Sequence, residues 1–290
     1  METGTPPGDY EALIRLIHER YDQMSKTYQK ISVYLTQNPN EVAVQPVSTI
    51  AEKVGIHASS FVRFAQALGY NGFKELQVLF QKRLSTAAPG FEARSKALRE
   101  ELASRGDVSE IGFLHELVIQ DVSALQALLE DISQDDLALA SDLIHNADTV
   151  FIVGQLRAEP IALLIRYMLT MLGKRCILLD AGGGLATHMA RTIRGSDVMI
   201  AISFRFYANE VVSIVENAGA EGMPIVAITD STLSPLAKSA RVLFAVPERE
   251  HKYTRSLTAP ICLAQALVVA VAARVQDNKT TPHIPIATEK

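Results

Sequence analysis

Two short runs, VMIAIS at 198–203 and PIVAIT at 224–229, constrain this chain most. Neither alternates apolar with polar residues, so neither has a face it can show to water, and each reads as a strand covered above and below. The segments between such runs supply the covers. Strand patterns at 149–153, 175–179, 197–203, 224–229 and 241–246 alternate with helical patterns at 158–172, 185–194, 208–220 and 233–239. Strand and helix in that rhythm predict parallel pairing with helical crossovers: a five-stranded parallel α/β sheet, flavodoxin-like, with helices on both faces. A long apolar helix at 256–275 closes it.

The first half follows a different pattern. Apolar residues recur at helical spacing through 9–37, which is predicted as one helical segment ending at the turn signal Asn38-Pro39-Asn40. In the stretch 47–84, Ile50, Ala51 and Val54 precede Gly55, and Phe61, Phe64, Ala65 and Leu68 follow it. That is the layout of a helix-turn-helix: a small residue where the helices cross, Gly at the turn, and Ile56 as the apolar plug beneath. The second helix of such a motif lies in the DNA major groove, and its outward positions here are His57, Ser59, Ser60, Arg63 and Gln66. Arg63 can pair with guanine or phosphate, and the two serines can reach phosphates near the helix N-terminus. Lys53 joins this set as a basic neighbour. The stretch holds five basic against two acidic side chains, net +3, whereas the 290-residue chain carries −4. DNA contact therefore has to come from a local patch, and an all-α DNA-binding domain over 9–85 is the expectation. A plain helical bundle in which Gly55 only ends a helix remains the alternative.

With 48% hydrophobic and 21% charged residues the chain can bury two cores. Linker helices are expected over 86–132, the α/β domain over 133–276 and a mobile tail over 277–290. In the second linker helix Ile111, Leu114, Leu117, Val118, Val122, Leu125 and Leu128 recur at spacings that suit bridging the domains or pairing with a second copy. Cys176 and Cys262, each inside an apolar run, read as buried small hydrophobes in a reducing cytoplasm. The N-terminus lacks the succession of a secretory signal, and the apolar stretch 259–273 reads as a buried helix rather than a membrane span. No metal spacing or cofactor motif stands out, so neither is expected.

VSTIAEKVGI and SSFVRFAQALGYNGFKEL in the first half, with FIVG, GSDVMIAISF, AGAEGMPIVAITD and SPLAKSA in the second, resemble the RpiR family of bacterial transcription regulators. In that family a helix-turn-helix precedes a sugar-isomerase (SIS) domain. The resemblance implies a cytoplasmic, non-enzymatic regulator of carbohydrate genes, a repressor by preference. Its partners would be operator DNA, an anionic sugar and further copies of itself as a homodimer or tetramer. One departure lies at His57, where the family places a capping Ser, so that either Ser59 shifts the helix start or His57 meets a phosphate.

Ligands of open parallel sheets bind at the carboxyl ends of strands where the strand order reverses. The loops there are GQLRAEP at 154–160, the glycine run 182–184 and SFRFYANE at 203–210. SIS domains hold a sugar phosphate with small and hydroxyl residues in the first and third loops. Ser203 keeps that pattern, while Arg157 and Arg205 stand where the phosphate cradle belongs. Gly154, Arg157, Gly183, Ser203, Arg205, Tyr207 and Asn209 are therefore the candidate effector residues, the two guanidinium groups gripping a phosphate or carboxylate. Two alternatives stay open: a phosphosugar isomerase with Glu210 or His188 as its base, and a regulator whose SIS domain only dimerises.

Overall fold

The computed structural model of the chain describes residues 6–87, 99–100, 102–104, 109–180, 184–205, 207–246 and 255–280. The chain divides into two compact units, 1–116 with 250–255, and 117–249 with 256–290.

The first unit is helical. Its elements are α1 (Tyr10–Arg20), a 3-10 turn (Tyr21–Gln23), α2 (Lys26–Gln37), α3 (Pro39–Val44), α4 (Val47–Val54), α5 (Ala58–Ala67) and α6 (Phe73–Ala87). The helical segment 9–37 is divided into two helices. Met24 is extended and Ser25 caps α2, its hydroxyl accepting from Tyr28 N at 3.3 Å, so a local cap overrides continuous apolar periodicity. Asn38-Pro39-Asn40, expected as a turn, opens α3 instead, with Pro39 in the first turn where its missing N–H is no loss.

Aromatic edges hold this unit together. Tyr28 meets Phe64 and Phe61 meets Phe73 in T-shaped contacts at 5.3 and 5.6 Å, tying α2 and α6 to α5. Gln77 Nε2 donates to the carbonyls of Val42 and Gln45, both at 2.8 Å, so α6 satisfies the open C-terminal end of α3.

After α7 (Glu110–Asp131) and α8 (Gln134–Asn146), the second unit carries β1 (Val150–Gly154), α9 (Glu159–Met171), β2 (Cys176–Leu178), α10 (Ala186–Ala190), β3 (Val198–Ile202), α11 (Asn209–Ala220), β4 (Ile225–Thr229), β5 (Val242–Ala245) and α12 (Thr258–Thr280). The sheet is all parallel, in order β2-β1-β3-β4-β5, and β1, β3 and β4 are buried along their whole length. Val150, Ile152, Ile200 and Ile228 point to the face covered by α8, α9 and α12. Phe151, Val153, Met199 and Ala227 point to the face covered by α10 and α11. Each buried aliphatic side chain contributes about 1.5–3 kcal/mol, so this two-sided burial is the main stabilising term of the unit. Asp197, buried at the foot of β3, accepts from Thr149 N at 3.0 Å and Arg194 N at 2.8 Å and so pins β3 to the start of β1.

Several expectations are corrected. The segment 233–239 is a succession of turns rather than a helix, because Ser231 and Ser234 turn their hydroxyls onto Leu233 N and Leu236 N and divert the backbone. The helix expected at 185–194 is confined to Ala186–Ala190. Cys176 is half-buried, with burial pushing its thiol up, and Cys262 is exposed. Cys262 falls on the side of α12 opposite Leu263, Leu267 and Val271, which pack into the sheet, and Val269 is exposed with it. The stretch Thr258–Gln276 has the length and apolarity of a membrane span, but one side of it belongs to the core of this unit. This helix runs on to Thr280, through the first residues of the expected tail; residues 281–290 lie outside the described residues.

Phe64 has no accessible surface and carries the edge contact to Tyr28. Phe64→Ala is expected to destabilise the helical unit by about 3–5 kcal/mol, read as a lowered urea midpoint of its helical signal.

Candidate functional site

The helix-turn-helix spans α4 and α5. Gly55 ends α4 in the left-handed region at φ 67°, where its lack of a Cβ is required, and Ile56 N closes the turn onto Ala51 O at 3.0 Å. His57 is the N-cap of α5 but makes no side-chain cap, and Ser59 lies inside the first turn, so the helix start does not shift to Ser59. α5 turns Phe61, Phe64 and Ala65 inward. His57, Ser59, Arg63 and Gln66 are exposed and Ser60 is half-buried, so the outward set shares one accessible side of α5.

Lys53 has a different surrounding. Its Nζ lies 2.9 Å from Glu41 Oε2, the oxygen that also accepts from the Tyr34 hydroxyl at 2.7 Å. The hydrogen bond from Lys53, then that from Tyr34, holds the Glu41 carboxyl below the usual range. Burial first, then the hydrogen bond to Glu41, pushes the Tyr34 hydroxyl up. Sequence reading missed this triad because Glu41 and Lys53 are twelve residues apart on separate helices.

The second site lies where the strand order reverses. From β1 the chain crosses to β2 on one side and then to β3 on the other, so the loops after β1 and β3 diverge at the carboxyl edge of the sheet. Gln155, Leu156, Arg157 and Ala158 from the first loop, with Ser203, Phe204, Arg205 and Ala208 from the third, line a small cleft open to solvent. The Arg157 guanidinium carbon sits 4.9 Å above the centroid of the Phe204 ring, a cation–π contact across the cleft. Gly154 must be small, since a Cβ there would come within 3.1 Å of Ala162 Cβ and 3.2 Å of Ala158 O. Leu156 has φ 57°, the one positive φ outside glycine among the described residues. Strained backbone of this kind concentrates at ligand sites, and here it lies in the cleft wall.

Arg157, Ser203 and Arg205 thus meet in one cleft, with Gly154 at its base strand. Tyr207 stands just beyond it, its hydroxyl donating to Asp230 Oδ1 at 2.9 Å, and Thr229 Oγ1 donates to the same oxygen at 3.3 Å. Asn209 is exposed on α11 and is not part of the lining. Gly183 lies outside the described residues. Glu210 is a tether: its Oε2 accepts from Gln155 Nε2 at 2.6 Å and its Oε1 from Thr187 Oγ1 at 3.2 Å. It thereby fastens the first loop to α10 and α11. Gln155, Thr187 and Asp230 were not singled out by sequence, since amide, hydroxyl and carboxylate partners 20 or more residues apart leave no local signal. His188 is exposed on α10. Among the described residues no group of three or more His, Cys, Asp and Glu side chains is placed to hold a metal ion.

A helix-turn-helix module joined to an α/β domain with a cleft at the carboxyl edge of its sheet defines a class, and comparison with known proteins gives the family. Residues 11–87 match the helix-turn-helix domain of the rpiR family and residues 143–270 match the SIS domain. The chain belongs to the RpiR family of transcriptional regulators carrying a SIS domain. It is 27% identical over 241 residues, 83% of each chain, to an uncharacterized HTH-type transcriptional regulator of Thermotoga maritima. It is 24% identical over 272 residues to the uncharacterized regulator YfhH of Escherichia coli, covering 92% of this chain and 93% of the relative. Among solved structures, the sugar isomerase domain of an RpiR transcription factor from Sphaerobacter thermophilus aligns with TM-score 0.53 and 27% identity over 55% of this chain and 89% of that one. The Vibrio vulnificus NanR protein, solved with ManNAc-6P, shares the fold with TM-score 0.54 at 19% identity over 92% of this chain and 94% of that one.

The Glu41 triad gives a pH signature. Because the folded-state carboxyl is held low, its contribution is present above the unfolded glutamate value, about 4.3, and is lost as pH falls through the lower folded value. Glu41→Gln is expected to be less stable than wild type at neutral pH, with the gap in urea midpoints closing as the pH drops below about 4.

Proposed function

We propose that this regulator binds a pseudo-palindromic operator through α5 and acts, by preference as a repressor, on genes of carbohydrate metabolism, under control of an anionic sugar held in the SIS cleft. The observation that carries the effector reading is the convergence of Arg157 and Arg205 from two strand ends on one cleft beside buried Ser203. Two guanidinium groups suit a phosphate or carboxylate, and Gly154 lets the strand end pack closely beneath. The cleft is small and open to solvent, which suits the anionic end of a sugar with its ring outside. At the level of fold only, the NanR complex with ManNAc-6P agrees with a sugar phosphate in such a domain.

A regulator with this binding unit works on DNA as a dimer or a dimer of dimers, setting two recognition helices about 34 Å apart. Self-association is supported by exposed apolar side chains at helical spacing: Ile111, Leu114, Val118, Val122 and Leu129 on α7, and Leu163, Tyr167 and Met171 on α9. A second copy of the chain removes such stripes from water. Effector and DNA are then linked, each changing the affinity for the other by the same factor.

The isomerase reading asks for a free base beside the substrate. Glu210, whose two oxygens already accept from Gln155 and Thr187, is better suited to fastening loops than to moving protons, which favours the regulator.

Two measurements test the reading. Arg63→Ala is expected to abolish selective binding to duplexes from the region upstream of the gene, with the helical signal intact; equal binding to every duplex by the wild-type chain would refute it. Phosphosugars and sugar acids titrated against the full chain are expected to raise its melting temperature, and Arg157→Ala with Arg205→Ala to remove that shift. No shift with any anionic sugar would leave the SIS domain as an assembly device.

A further inference from the structure

The turn of the helix-turn-helix has a cation beside it that does not belong to the motif. Lys30 lies on α2, more than a dozen residues before α4 begins, and is exposed. Its Nζ nonetheless lies 3.9 Å from where a Gly55 Cβ would stand, the one atom from elsewhere in the described chain to come within 4 Å of it. α2 is not free to swing away: Ile31 and Leu35 are fully buried, and Tyr28, two residues before Lys30, packs edge-on against Phe64 of α5 at 5.3 Å. The lysine is therefore carried to the turn by the hydrophobic core of the module. No hydrogen bond or ion pair of the described residues engages its ammonium, whereas Lys53, the basic residue inside the motif, is bound to Glu41 at 2.9 Å.

The chemistry at this point suits a phosphate. α5 begins just beyond Gly55 with His57 as an N-cap that makes no side-chain cap, so the positive end of the helix is open to an acceptor from outside. An ammonium group at the preceding turn adds a full charge to those amides. The distance from Lys30 to Gly55 and the prior engagement of Lys53 are independent observations, and both shift the backbone contact from one lysine to the other.

We propose that Lys30 is a DNA-phosphate contact at the helix-turn-helix turn, extending the interface onto α2, and that Lys53 serves Glu41 rather than DNA. The inference rests on the DNA-binding reading above. It concerns affinity and placement on the duplex rather than sequence choice, because phosphate contacts carry no base information.

The test is binding of the full chain to a fluorescent random-sequence duplex and to a duplex from its own upstream region, each between 50 and 200 mM KCl. Removing one phosphate contact lowers the slope of log K against log salt by about 0.9. Lys30→Ala is expected to lose that increment on both duplexes. Its deficit relative to wild type shrinks by about 3.5-fold from the lowest to the highest salt, which is that slope over a fourfold change in salt. Lys30→Arg keeps the wild-type slope, and so does Lys53→Ala. A wild-type slope for Lys30→Ala, or the loss of a unit by Lys53→Ala, would overturn the assignment. Helical circular dichroism and urea midpoints accompany each variant; Lys30 is exposed, so its replacement leaves both unchanged. If the wild-type chain binds both duplexes equally, the regulator reading fails, while a lost increment for Lys30→Ala on the random duplex still supports the phosphate contact. A wild-type chain that binds neither duplex overturns both.

Discussion

The pairing of β1 with β3, two strands with no face for water, is the constraint on which the second unit depends. Val150 to Gly154 lie in parallel register with Val198 to Ile202, and β4 continues the same buried layer. Because both faces of these strands are apolar, helices must cover both sides, and parallel pairing requires each to be crossed in the same sense. The consequence is functional as well as structural. Every strand ends at the same edge, and the place where the chain reverses its direction of addition, between β1 and β3, is where two loops part and leave a cleft. Arg157 and Arg205 are neighbours in space because of this pairing, although almost fifty residues separate them.

The helical unit reaches its site by another route. No sheet aligns α5; aromatic edges do. Phe61 and Phe64 are the buried side of the recognition helix and also its contacts with Phe73 and Tyr28, so the burial that stabilises the unit sets the direction of the exposed side. Position on this helix thus divides labour with little overlap: every turn sends core residues inward, and His57, Ser59, Arg63 and Gln66 face outward. Charges on neighbouring helices are sorted by the same packing, which brings Glu41 to Lys53 and Lys30 to Gly55.

The cleft between the loops after β1 and β3 shows where backbone and side chain share the work. Leu156 holds a left-handed conformation that a side chain disfavours, and Gly154, two residues before it, has little room for one. Glu210, bonded to Gln155 and to Thr187, ties the loop carrying that strain to two helices. A loop held so firmly presents its arginine in a set place over Phe204, the preorganisation that binding of an anion needs.

Read in one dimension, the chain already determined its class. Non-alternating runs gave the buried strands nearly to the residue, since a strand wet on neither face must show it in composition. Gly55 between two apolar sets at helical spacing gave the helix-turn-helix, since glycine accepts its left-handed turn at little cost. The break at Met24–Ser25 and the turns at 233–239 were less legible, because single side-chain hydrogen bonds outweigh periodicity there, and the helix starting at Pro39 was hidden because a proline suits a first helical turn as well as it suits a loop turn. Tertiary structure alone decided which side of α12 faces water, which lysine stands at the turn, and that Glu210 fastens loops. Those outcomes depend on contacts between residues distant in sequence, and a hydrogen bond or ion pair made across a packed core has no counterpart in local spacing.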